Sequence, residues 1–165
     1  MPISNNWKVS IAAFVLTINL MIPVAQAQQQ YDITDCGSMT FTINSESEEL
    51  TIMTFDFKGI ARSNSDNKIF DNCTVFYVGV SRNMAGQQSA AYGYSKYMDP
   101  DGDFVVMESI RQGADTHCTF LQGTGKWKGI KGEGKLRRIA AGKPISAGTN
   151  QYCTRHIGTF ELPKK

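Results

Sequence analysis

In the stretch Phe104-Val106-Glu108-Ile110, one carboxylate interrupts an otherwise apolar alternate face. Residues two apart in a strand share a face. If that face points into a barrel, Glu108 sits in a low-dielectric space with a raised pKa, suited to general acid or base chemistry. If it points to water, Glu108 is a solvated carboxylate or half of an ion pair. Upstream, Tyr92 and Tyr94 share a face with Lys96. Near the end of the chain, Tyr152 and His156 share one, opposite the face of Cys153 and Arg155. Aromatic rings with polar tips can line a ligand cavity or simply pack a core. Tyr92, Tyr94, Glu108, Tyr152 and His156 are therefore the candidate ligand contacts, and Glu108 the candidate catalytic group. No Ser/His/Asp set can be assembled from spacing, and no cofactor is expected.

Four cysteines, Cys36, Cys73, Cys118 and Cys153, contain no Cys-x-x-Cys pair, which weighs against zinc. The only histidines are His117, beside Cys118, and His156, and no metal is expected. The segment Asp99-Pro100-Asp101-Gly102-Asp103 carries three acids, but a calcium loop needs Gly and Glu where Phe104 and Ile110 stand. It reads as a tight turn.

The net charge of +2 is too small for a dedicated nucleic-acid binder, and it conceals an asymmetry. Residues 28–119 carry six basic and thirteen acidic side chains, and residues 120–165 ten and two. Lys126, Lys128, Lys131, Lys135, Arg137 and Arg138 supply most of the late excess. Grouped at one barrel end, they would attract an anionic ligand or envelope surface; matched by the acidic half, they form a solvated rim.

These side chains need elements to position them. Residues 1–27 read as a secretory signal: Lys8, an apolar run from Ile11 to Ile22, Pro23, then Ala25-Gln26-Ala27, with cleavage expected after Ala27. Thr17 and Asn19 interrupt the run, which is shorter than the ~20 residues of a membrane span. The mature chain is then a single domain, 28–165, periplasmic or secreted, where cysteines oxidise. It shows no sustained helical period. Runs rich in β-branched and aromatic residues predict strands over Ser38–Asn44, Glu49–Arg62, Asn72–Arg82, Ser89–Met98, Phe104–Gln112, Thr116–Gln122, Gly134–Ala140 and Gln151–Leu162. A short helical turn is expected over Lys126–Ile130. Eight such strands suit an all-β, eight-stranded antiparallel β-barrel, with a two-sheet sandwich as the competing architecture. In a simple meander, Cys36 and Cys73 lie near one end, and Cys118 and Cys153 near the other. The expected disulfides are therefore Cys36–Cys73 and Cys118–Cys153, among three connectivities.

The densest motif is Gly123-Thr124-Gly125-Lys126-Trp127-Lys128-Gly129-Ile130-Lys131-Gly132-Glu133-Gly134. Phe120 and Trp127 stand where a phosphate loop needs Gly and Ser or Thr, and Lys128 where a dinucleotide fingerprint needs its third Gly. The Gly-Thr-Gly-Lys-aromatic-x-Gly-x-x-Gly pattern instead resembles the allene oxide cyclase and dirigent group of calycin-like eight-stranded barrels, where it joins two strands. Together with Asp99–Asp103 and the end Gly158-Thr159-Phe160-Glu161-Leu162-Pro163, it is similar to small exported bacterial proteins of that barrel type. The likeness spans Gly93 to Pro163. It implies the fold. Plant members cyclise an epoxide or steer radical coupling, but none of their catalytic residues can be placed on this chain.

Three functions follow as expectations. The first is binding of a small apolar or amphipathic ligand in the barrel without catalysis. The second is a cofactor-independent isomerase or cyclase, and the third an envelope protein working through its basic surface. A homo-oligomer fits the resemblance, and no nucleic-acid partner is expected.

Overall fold

The computed structural model describes residues 28–87 and 89–164. The signal segment expected at 1–27 lies outside the described residues. Eight antiparallel strands, β1 (Gln29–Glu46), β2 (Leu50–Ser63), β3 (Cys73–Met84), β4 (Ala90–Met98), β5 (Phe104–Gln112), β6 (Asp115–Gly123), β7 (Lys131–Ala141) and β8 (Thr149–Glu161), follow one another around a closed barrel. A single 3-10 turn, Gly125–Trp127, stands where the short helical turn was expected.

The strands close because each carries an alternating inward set. In β1 it is Tyr31, Ile33 and Asp35, all buried. This strand starts nine residues before the expected Ser38, since a run containing Asp32, Asp35 and Gly37 does not look like strand. Gly37 and Gly59 register opposite one another, and a Cβ on either would come within 2.8 Å of the Phe57 ring. Their bare backbones make room for that ring.

One end of the barrel is plugged. Phe70, on the loop between β2 and β3, packs its ring 4.8 Å from Trp127 and 5.8 Å from both Phe120 and Phe160, centroid to centroid. Lys68, Phe70 and Asn72 hold positive φ values of 51°, 56° and 57°. Such backbone is costly for residues with a Cβ, and Asp71 helps to hold it. Its Oδ1 accepts from the Ser63 N–H at 2.9 Å and Arg62 Nε at 3.1 Å. The Asp99–Asp103 turn completes the plug: Asp99 Oδ1 accepts from the N–H groups of Asp101 and Asp103, and Oδ2 accepts from Trp127 Nε1 at 2.9 Å. The acidic turn and the glycine-rich segment thus clasp each other.

Closure makes β1 and β8 neighbours, and this corrects the expected disulfides. Cys36 and Cys153 are register partners with Cα atoms 4.1 Å apart, and they are bonded to each other. Cys36 lies mid-strand because β1 starts early, not at the barrel end expected for it. Cys73 and Cys118 are free, buried thiols on the inward face, so neither Cys36–Cys73 nor Cys118–Cys153 forms. Burial pushes their thiols up to about 12 and about 11. Non-reducing peptide mapping is expected to return only the Cys36–Cys153 linkage, and reduction to cost about 2–4 kcal/mol while the barrel stays folded. A peptide linked through Cys73 would contradict this arrangement. On the same seam, Arg155 Nε donates to Asp32 Oδ1 at 2.8 Å, and its second nitrogen bonds Oδ2.

Candidate functional site

Above the plug the lumen stays open as a cavity of about 380 Å³. Its floor is polar. Asp35 from β1, Tyr97 from β4 and His156 from β8 converge there, and the Tyr97 ring lies 6.4 Å from Phe70 in the plug. Tyr97 Oη donates to Asp35 Oδ2 at 2.6 Å. His156 Nε2 lies 3.2 Å from the same oxygen and 3.3 Å from Tyr97 Oη. Asp35 and His156 are each only 2% exposed, and Asp35 Oδ1 has no hydrogen-bond partner. Ser95 Oγ, also buried on this cavity, has none either.

Burial sets the protonation of this cluster. It raises the Asp35 carboxyl to about 7, against the lowering effect of the Tyr97 hydrogen bond. It lowers the His156 imidazole to about 3. A charged group loses hydration in this space, so the neutral forms are favoured. Near neutral pH the cluster therefore joins a neutral imidazole, a phenol and a carboxyl poised to take or give a proton. Buried unpaired acceptors of this kind can be satisfied by a ligand.

The wall is apolar and aromatic, formed by Met39, Phe55, Phe57, Tyr77, Leu136 and Tyr152 among others. Phe57 and Tyr152 stack at 5.1 Å. Toward the open end the lining turns polar and basic, with Asn83, Arg111, Arg137, Arg138 and Asn150. Among the described residues no group of three His, Cys, Asp or Glu side chains is arranged to hold a metal ion.

The structure divides the sequence candidates. Tyr152 and His156 line the cavity. Tyr92, Tyr94 and Glu108 do not: they lie on the outer surface, where Tyr92 Oη donates to Glu108 Oε1 at 2.6 Å and also meets the Tyr94 hydroxyl. The correction is one of strand parity. Val105, Met107, Ser109 and Arg111 are the inward residues of β5, whereas Ile110 is exposed. The outer faces of β3, β4 and β5 carry exposed Val78, Val80, Tyr92, Tyr94 and Ile110, so the apolar alternate face was real but pointed outward.

The six basic candidates do not gather at one end. Lys126, Lys128 and Lys131 lie at the plugged end, where Lys126 Nζ is 2.9 Å from Asp99 and 2.7 Å from Asp101. Lys135 is exposed along β7, and Arg137 and Arg138 reach the cavity mouth. A strand that runs the length of the barrel distributes its charges along it. Asp35, Tyr97, Ser95 and Arg111 escaped the sequence reading. The available signal was the inward register itself, Tyr31-Ile33-Asp35 in β1 and Ser95-Tyr97 in β4.

No family model and no curated protein matches the sequence. Solved structures do match the fold. The pterocarpan synthase dirigent protein PsPTS1 superposes with a TM-score of 0.57 at 9% identity, over 84% of this chain and 97% of that one. The pterocarpan synthase dirigent protein GePTS1 gives 0.50 at 11%, over 85% and 88%. A pyocyanin demethylase gives 0.46 at 13%, over 81% and 99%. At these identities the likeness concerns architecture alone, and the chain has the eight-stranded antiparallel barrel fold of the dirigent proteins.

Proposed function

We propose that this is an exported barrel that binds a small apolar or amphipathic molecule, its polar end seated on Asp35, Tyr97 and His156. The observation that carries the reading is the cavity: about 380 Å³, walled by aromatic side chains, over a buried carboxylate oxygen with no partner. Its size lies at the small end of ordinary ligand pockets, about 300–1,000 Å³. The apolar wall gains from excluding water, and the floor supplies the hydrogen bonds that fix orientation. The Cys36–Cys153 bond suits an oxidising compartment outside the cytoplasm.

Calorimetric titration with 1-naphthol, an apolar body with one hydroxyl, tests this reading. Saturable 1:1 binding is expected, weakened about tenfold by Tyr97→Phe, since a lost hydrogen bond in a dry site is worth about 1–2 kcal/mol. No saturable binding of 1-naphthol, together with a clean ligand-free mass for protein purified from its own source, would contradict it.

A second reading is supported by one feature, the titration of Asp35 near neutrality beside a neutral imidazole. Such a pair suits a cofactor-independent isomerase or cyclase, in which a carboxyl moves a proton at the ligand's polar end. With any substrate found, Asp35→Asn would abolish turnover while 1-naphthol still bound. Full turnover in that variant would remove Asp35 from the chemistry.

A further inference from the structure

We propose that the cavity is built for an organic anion, with Arg111 receiving the acidic group of a ligand whose apolar body lies against the aromatic wall. The inference rests on the ligand-binding reading above and specifies the ligand class.

Arg111 is the innermost cation of the lining. It registers with Ala91 on β4 and Thr116 on β6, and Thr116 registers with Leu136 on β7. Arg138 occupies the next inward position of β7 toward the mouth, and its guanidinium stands 4.5 Å over the Tyr152 ring. The Arg111 Nε is buried and has no hydrogen-bond partner. Among the described residues, no carboxylate lies within 4.0 Å of Arg111, Arg137 or Arg138, and Asp35 is the only acid lining the cavity.

Arg111 as a whole is only half-buried: its Nε is shut off from water while the residue borders the cavity. A buried N–H donor left without a partner is costly, and an anion is the strongest acceptor that could satisfy it. The neighbouring lining does not provide one: Ser109 and Thr116 are hydroxyls, and Tyr77 and Tyr152 are phenols that burial holds neutral. The positive charge of Arg111 acts on both phenols, as expected of a guanidinium facing the lumen. An anionic ligand would complete the set. The planar fork of arginine matches the paired oxygens of a carboxylate, sulfonate or phosphate. The floor would then meet a neutral polar group, because a second anion there would oppose Asp35.

Two probes share one aromatic body and differ by a sulfonate: 8-anilinonaphthalene-1-sulfonate and neutral N-phenyl-1-naphthylamine. Fluorescence titration of the wild-type protein is expected to show both binding 1:1, in competition with each other. The sulfonate should bind at least about tenfold more tightly, as a charge-assisted bond would give. Arg111→Gln should remove that preference while holding the neutral probe within about twofold of wild type. Arg111→Lys keeps the charge without the fork and should fall between, so it carries the test if the glutamine variant does not fold. Equal wild-type affinities, or equal weakening of both probes by Arg111→Gln, would overturn the inference. Binding of the neutral probe alone would overturn it and leave ligand binding intact. Binding of neither would overturn the inference, while the 1-naphthol titration decides the ligand-binding reading separately.

Discussion

Replacing Phe70 with alanine is expected to lower the stability of the barrel by about 3–5 kcal/mol, the usual range for deleting a buried phenylalanine ring. Phe70 is only 4% exposed, and its ring meets those of Tyr31, Tyr97, Phe120, Trp127 and Phe160. It lies on a loop, and loops rarely carry so much of a core. The loop holds three residues at positive φ, a conformation supported by the burial of the ring and by the hydrogen bonds to Asp71. Alanine would keep the backbone strain and lose the burial. Urea denaturation measures the effect, with Ile145→Ala as the control. That side chain is 83% exposed, and its loss should change stability by less than about 0.5 kcal/mol. A Phe70→Ala loss no larger than that of the control would mean that the plug is not part of the core.

The pH dependence of stability is expected to split in opposite directions when the floor cluster is dismantled one residue at a time. The raised Asp35 carboxyl contributes stability that is full below its unfolded value of 3.8 and is lost as pH rises through about 7. The lowered His156 imidazole behaves inversely. Its contribution is full above the unfolded value of 6.5 and is lost as pH falls toward about 3. Between 3.8 and 6.5, the folded pair holds one proton on Asp35 and the unfolded pair holds one on His156. The proton counts match, so the wild-type cluster contributes almost no slope.

Asp35→Asn leaves the histidine alone, and stability relative to wild type should then rise with pH across that window. His156→Gln leaves the aspartate, and relative stability should fall. Each slope approaches about tenfold in the unfolding constant per pH unit, the value for a difference of one proton. Burial is the dominant cause of both shifts, so each survives removal of the other residue. Urea midpoints from pH 4 to 6.5 for the three proteins decide the matter. Parallel profiles would show that neither group is held neutral in the folded state.

The barrel was legible because its evidence is local. Alternating β-branched and aromatic runs, the Asp99–Asp103 turn and the glycine-rich segment each declare their structure within a few residues. The site was less legible because it depends on parity and closure. In β5, Phe104, Val106 and Ile110 look more core-like than Ser109 and Arg111, yet the second set faces the lumen. A ligand cavity reverses the usual signal by drawing polar residues inward, while exposed outer residues such as Val78 and Val80 keep the outside apolar. Asp35 was hidden for a related reason. An acid ahead of the first run of β-branched and aromatic residues reads as loop until the strand that closes the barrel lies beside it. The Cys36–Cys153 bond depends on that same closure, which joins residues 117 apart in sequence.

The seating of a ligand on the floor cluster is tested most directly by NMR of the His156 imidazole during titration with 1-naphthol. A saturable, 1:1 shift of the His156 ring resonances is expected, because the ligand's hydroxyl would enter the space beside Asp35 and Tyr97. Shifts confined to the outer face at Tyr92, Tyr94 and Ile110, with His156 unmoved, would contradict it.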